Sequence, residues 1–300
     1  MTGREMVQGP DFDEAAVTAQ LQRIGARFDP EVLAATRELY RAATAGLPWA
    51  ERSIIEDIVY GPAPRNRLDV YRTDTANAPV LLFVHGGGFV GGDKRGDPQF
   101  YANVGRYFAA HGFLAILANY RLAPDSLWPS GNEDVAAMMA WIQYHAAQYG
   151  GNPEKVVMIG QSAGAAHVAG YIFDPRWNGH ANSSVRAVAL LSGFYRGKEP
   201  TLPGPRLYLG EDTALWPDRS PASHVTADHP PLLLSVAELD PAQIAEQTFD
   251  FAMALNAADG RPPELRWFAG HNHVSTVHGL GLGNDMVGSA LREFAARYLD

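Results

Sequence analysis

Three hundred residues, 46% of them apolar and 19% charged, suit a large α/β domain with a small appendage, and the net charge is -9. That acidic balance, with no Lys/Arg run to offset it locally, argues against a nucleic-acid partner. There is no cysteine, so disulfides, thiolate nucleophiles and cysteine-held metals are excluded, and no apolar run is long enough for a membrane span.

The first sixteen residues, MTGREMVQGPDFDEAA, hold no apolar core of a signal peptide, so the cytoplasm is the expected compartment. From Asp13 to about Thr44 the pattern is helical. Asp29 is placed as an N-cap, with Pro30 in the first helical position. Val32, Leu33, Thr36, Leu39 and Tyr40 share one face, and Gly46 and Pro48 end the helix. SIIEDIVYG and RLDVYRT then read as two short strands, the second alternating through Leu68 and Val70.

From APVLLFVHG onward strands and helices alternate. QFYANVGRYFAAHG is a helix closed by Gly112, FLAILANYRL a strand, and NEDVAAMMAWIQYHAAQYGG a helix. KVVMIGQS, VRAVALLSG, PLLLSVAELD and ELRWFAG are further strands. The helices AGAAHVAGYIF and PAQIAEQTFDFAMALNAADG lie between them. A last helix aligns Val287, Leu291, Phe294 and Tyr298. Continuous apolar strands between amphipathic helices predict an α/β fold, a mostly parallel sheet covered on both faces. The domain plan is a helical cap over residues 1–50 and one α/β domain over 51–300. Residues 193–230, rich in Pro and Gly, break the rhythm and are expected to insert over the carboxyl edge of the sheet, where such folds bind ligands.

GQSAG, Gly160 to Gly164, sits between a strand and a helix. In that setting G-x-S-x-G makes a tight turn that presents a serine hydroxyl above the sheet, so Ser162 is the candidate nucleophile. A serine that attacks a carbonyl creates an oxyanion, which needs donors aimed at it. HGGG, His85 to Gly88, offers backbone amides free of side chains, beside the amide of Ala163. A dinucleotide-type phosphate cradle would fit only Gly86, Gly88 and Gly91, and would leave Ser162 unexplained. The serine also needs a base held by an acid, which in this fold class follow it in the order acid, then histidine. LLLSVAELDPAQ offers Glu238 and Asp240, the latter also suited to cap the next helix. RWFAGHNHVSTVHG offers His271, His273 and His278. His111, His145 and His167 fall on helices as packing or surface residues.

At these residues the chain resembles the hormone-sensitive lipase branch (bHSL) of the α/β-hydrolases. NYRLAPDSLWPSGNED, DPEV…AGLP and AELDP extend the resemblance from about Asp29 onward. It implies an α/β-hydrolase fold, Gly87 and Gly88 as oxyanion donors with Ala163, Asp240 as the acid and His273 as the base. It also implies His85 as the residue that holds the oxyanion loop, and Glu133 and Asp134 as a structural pair. Three positions depart from that branch: Gln161 stands where Asp is usual, Ala165 where Gly is usual, and HNHVS replaces a His-x-Phe ending. The last is closer to small feruloyl esterases and arylformamidases. The implied activity is that of a serine carboxylesterase acting on a small-molecule ester, without cofactor or metal and without a membrane partner; a homodimer is left open. Amide hydrolysis of the arylformamidase kind and a non-catalytic hydrolase-fold receptor are the alternatives. Phe89, Phe194, Tyr195, Tyr208 and Trp216 are expected to shape a pocket for a short acyl chain or a flat aryl group.

Overall fold

The computed structural model describes residues 12–47, 53–96, 99–178 and 181–299. Residues 1–11 and Pro48, which carry part of the signal-peptide and helix-end expectations, lie outside them. So do residues 49 and 50 of the 1–50 cap segment.

The helical amino-terminal segment is two helices, α1 (Glu14–Ile24) and α2 (Pro30–Ala45). The Asp29 side chain accepts from Val32 N at 3.0 Å and so caps α2, with Pro30 behind it. Val32, Thr36 and Tyr40 form the buried stripe of α2.

Eight strands among the described residues form one sheet in the order β1-β2-β4-β3-β5-β6-β7-β8. They are β1 (Ile54–Val59), β2 (Arg67–Tyr71), β3 (Ala78–Val84), β4 (Leu114–Ala118), β5 (Gly151–Gln161), β6 (Val185–Leu191), β7 (Leu232–Leu239) and β8 (Glu264–Asn272). β1 and β2 pair antiparallel at one edge, and every pairing from β4 to β8 is parallel. The covering helices are α3 (Ala102–Ala110), α4 (Ser130–His145), α5 (Ala163–Phe173), α6 (Pro175–Asn178), α7 (Pro203–Leu209), α8 (Ala242–Asp259), α9 (Ser275–His278) and α10 (Met286–Ala296). No helix among the described residues is long and apolar enough to cross a membrane.

Side chains of a strand point alternately to its two faces, and β3 shows why the sheet is buried on both. Val80, Leu82 and Val84 join the core that holds Met138, Val168 and Phe251 of α4, α5 and α8. Leu81 and Phe83 join the opposite core, with Val104 and Phe108 of α3 and Leu291 and Phe294 of α10. Each such side chain contributes roughly 1.5–3 kcal/mol by leaving water. The alternation expected for β2 is not what burial follows. Asp69 lies at 0% exposure between Leu68 and Val70, because Lys94 Nζ reaches it at 3.0 Å.

The strand order reverses direction at β3. The chain goes from β3 to β4 on one side, then crosses to β5 on the other. At such a switch point the connections leave a crevice at the carboxyl ends of the strands. HGGG follows β3 and GQSAG follows β5, and Val84 pairs with Gly160. The two glycine-rich motifs are therefore neighbours in the crevice.

Candidate active site

Ser162 stands alone between β5 and α5, with φ 56° and ψ -121°. A non-glycine residue in this region of positive φ is strained, and the turn must be held from outside. Its N–H donates to Leu191 O at 2.8 Å, and its carbonyl accepts from Ala165 N at 3.0 Å. The neighbours are small of necessity. A Cβ on Gly164 would lie 2.1 Å from Val84 O, and one on Gly160 would lie 2.6 Å from the Ala165 Cα.

Three side chains from three parts of the chain meet here. His273 Nε2 lies 2.9 Å from Ser162 Oγ, and His273 Nδ1 lies 2.8 Å from Asp240 Oδ1. Beside a carboxylate oxygen Nδ1 carries the proton, which leaves Nε2 as the acceptor of the serine hydroxyl. Asp240 Oδ2 accepts from Ser192 Oγ at 2.6 Å and from Ala237 N at 2.8 Å. Those bonds keep the carboxylate aimed at the imidazole. Asp240 does not cap α8 through its side chain; Pro241 holds that position. Glu238, its rival, is exposed and accepts from Gly270 N at 2.6 Å.

His271 points elsewhere. Its Nδ1 lies 3.0 Å from Ser275 Oγ, and burial pushes its pKa down to about 4. His278 is buried with its ring 4.3 Å from that of Phe100. His167 is buried among Phe89, Tyr120 and Tyr208, which lowers its pKa to about 3, and His111 is exposed, with its ring against that of Tyr107.

The HGGG loop is tied from below. His85 is fully buried; its ring nitrogens lie 2.7 Å from Gly86 O and 3.1 Å from Asn119 Oδ1. Burial lowers its pKa to about 4. Gly87 and Gly88 take φ of 145° and 61°, and a Cβ on Gly87 would collide with Gly91 O. The N–H groups of Gly87, Gly88 and Ala163 donate to no main-chain carbonyl outside regular elements among the described residues. Glu133 and Asp134 both bind Arg121, and Asp134 also accepts from Asn66, which is structural work away from Ser162.

Two cavities meet at Ser162, sharing Phe28, Gly88, Leu202 and Pro205 as walls. The larger, about 660 Å³, runs between α2, the HGGG loop and His273. The smaller, about 60 Å³, lies between Ala163, Ser192, Phe89 and Phe194. Phe89 and Phe194 line the smaller cavity. Tyr195 and Trp216 do not line either cavity. Tyr195 is 0% exposed and stacks on Phe251 at 4.2 Å, and Trp216 is 1% exposed with Nε1 donating to Gly210 O. Both rings are packed inside, Tyr195 on Phe251 and Trp216 among Phe89, Tyr208 and Leu209. Tyr208 stacks behind Phe89 at 4.8 Å.

The sequence passes over three residues of the site. Phe28, just before the Asp29 cap, sets its ring edge-on to His273 at 4.7 Å. Ser192, the serine that follows β6, holds Asp240. Gln161, noted only as a departure, bonds to the main chain of His273. Their signal is position alone, since each lies at a carboxyl end of the sheet or beside a cap.

A nucleophile elbow, a bare amide loop beside it and an acid–histidine pair in that chain order on this sheet leave one architecture. The chain has the α/β-hydrolase fold. The family model BD-FAE matches residues 68–174, which run from β2 through the elbow to the end of α5. Esterase LipQ of Mycobacterium tuberculosis is 32% identical over 225 residues, covering 67% of this chain and 52% of LipQ. The probable carboxylic ester hydrolase LipM of the same organism is 28% identical, over 69% of this chain and 52% of LipM. The chain thus spans about half the length of these relatives. The solved structure of a bacterial heroin esterase is 25% identical, with a TM-score of 0.71 over 95% of this chain and 98% of that one. The chain is thus similar to esterases of this fold, in keeping with the resemblance that HGGG and GQSAG carry.

Proposed function

We propose that this chain is a serine carboxylic-ester hydrolase that acts on small esters through an acyl-enzyme. The observation that carries this reading is the unbroken chain of contacts from Asp240 through His273 to Ser162 at the meeting of two cavities. Ser162 Oγ attacks the ester carbonyl carbon while His273 Nε2 takes the hydroxyl proton. Gly87, Gly88 and Ala163 donate to the oxyanion. The bond to the alcohol oxygen then breaks, and that oxygen receives the proton from His273. Water repeats the sequence on the acyl-enzyme and releases the acid. Asp240 holds the imidazole in the required tautomer and stabilises its cation.

The leaving oxygen must lie within reach of His273, which borders only the larger of the two cavities. The alcohol half therefore occupies that cavity, and the acyl half the smaller one, against Phe89 and Phe194. This agrees with a preference for short acyl chains, roughly two to six carbons, since added methylenes help only while they find apolar surface. The test is turnover of p-nitrophenyl acetate, butyrate, octanoate and palmitate, with organophosphonate labelling of wild type and Ser162→Ala. Short esters should be turned over best, and labelling should vanish in the variant. A palmitate optimum would overturn the pocket assignment, and undiminished labelling of Ser162→Ala would overturn the nucleophile. An N-formyl arylamine measured alongside decides between ester and amide.

A further inference from the structure

The wall of the larger cavity contributed by α2 is not apolar throughout. It carries Leu33 and, one helical turn on, Arg37. Arg37 is half-buried, its Nε is sealed from solvent without a hydrogen-bond partner, and it forms no ion pair among the described residues. The two carboxylates that line the same cavity are already engaged. Asp29 caps α2 and binds Arg27, while Asp93 accepts from Arg95 N and from Asn119 Nδ2. Arg37 thus brings an uncompensated positive charge into the cavity of a chain whose net charge is -9. A guanidinium in a sheltered cavity is suited to a carboxylate, because the fork of donors matches the two oxygens and water competes poorly.

We propose that the larger cavity receives a leaving alcohol or phenol that carries a carboxylate, and that Arg37 is the residue that binds that carboxylate. This rests on the ester-hydrolase reading above and adds to it the chemical class of the substrate: a short-chain acyl ester of a hydroxy acid. Arg37 takes no part in the bond-making steps. It acts on which ester is held with its carbonyl at Ser162.

The experiment compares 3- and 4-acetoxybenzoate with the matching acetoxybenzamides, using p-nitrophenyl acetate as the reference ester. Each carboxylate and its amide share a shape and differ in charge. The ratio of their kcat/KM values on one enzyme cancels differences in folding or active fraction. In the wild type the carboxylate-to-amide ratio for at least one isomer should exceed that of Arg37→Gln by about tenfold or more, chiefly through KM. Arg37→Lys, which keeps the charge but loses the fork, should fall between the two. The wild-type ratio should also shrink as salt is raised. Equal ratios in wild type and both variants, with p-nitrophenyl acetate still turned over by the wild type, would overturn the role of Arg37 alone. A wild type inert towards every ester would overturn the ester reading and this proposal with it.

Discussion

Gln161 donates from Nε2 to the main-chain carbonyl of His273 at 3.0 Å, while its Oε1 accepts the Tyr101 hydroxyl at 3.2 Å. Gln161, 1% exposed and next to Ser162, thereby fixes the loop that carries the proposed base. Gln161→Ala leaves two buried groups unpaired and frees the His273 loop to shift. The expected result is a fall in kcat of about tenfold or more with KM little changed, because misplacing the base by a fraction of an ångström weakens proton transfer more than binding. Steady-state kinetics on p-nitrophenyl acetate measures this; a wild-type kcat would show that the loop needs no such tether.

Asp240→Asn should lower kcat by about 10⁴-fold with the fold retained, since the amide leaves the imidazole in the wrong tautomer. Glu238→Gln should stay near wild type, because Glu238 is exposed and touches Gly270 N rather than a histidine. Kinetics and circular dichroism on both variants decide the acid. A large loss in Glu238→Gln alone would transfer the role.

Gly164→Ala should be poorly tolerated. The added Cβ would meet main-chain oxygens of Val84 and His85 at 2.1 and 2.5 Å, so α5 must move away from the end of β3. Overpacking of this kind costs roughly 1–3 kcal/mol, and here it also displaces Ser162. A lowered Tm together with lost organophosphonate labelling is the expected pair of results. Unchanged labelling at wild-type Tm would mean the elbow has slack.

Acid should destabilise the fold before it titrates ordinary carboxylates. Burial holds the pKa values of His85, His167 and His271 down to about 4, 3 and 4. In the unfolded chain each returns to about 6.5, so between that value and its folded value the unfolded state binds the extra proton. Stability is therefore full above about pH 6.5 and declines as pH falls towards the folded values, by about 2 kcal/mol per histidine at pH 5. Denaturant unfolding of the wild type at pH 7 and pH 5 measures the slope, and His167→Gln should make it shallower. Equal stability at both pH values would show that these histidines keep their normal affinity for protons.

The sequence by itself determined the framework. Alternating apolar strands and amphipathic helices require a covered parallel sheet, and GQSAG between a strand and a helix requires a strained turn with an exposed serine, because both signals are local in the chain. HGGG is legible for the same reason: only bare backbone can approach a ligand so closely. Tertiary structure decided the rest. Glu238 and Asp240 are two residues apart, and what separates them is the pair of donors, Ser192 Oγ and Ala237 N, that turns Asp240 towards His273. His271 ends up against Ser275, whereas His273, just beyond β8, reaches Ser162. Tyr195 and Trp216 went into the core because Phe251 and the Gly210 carbonyl gave them partners there. Phe28, between α1 and α2, and Arg37, on α2, reach the site only through packing across the sheet's carboxyl edge. Contacts between distant segments depend on how whole elements pack, and no local pattern of residue types records them.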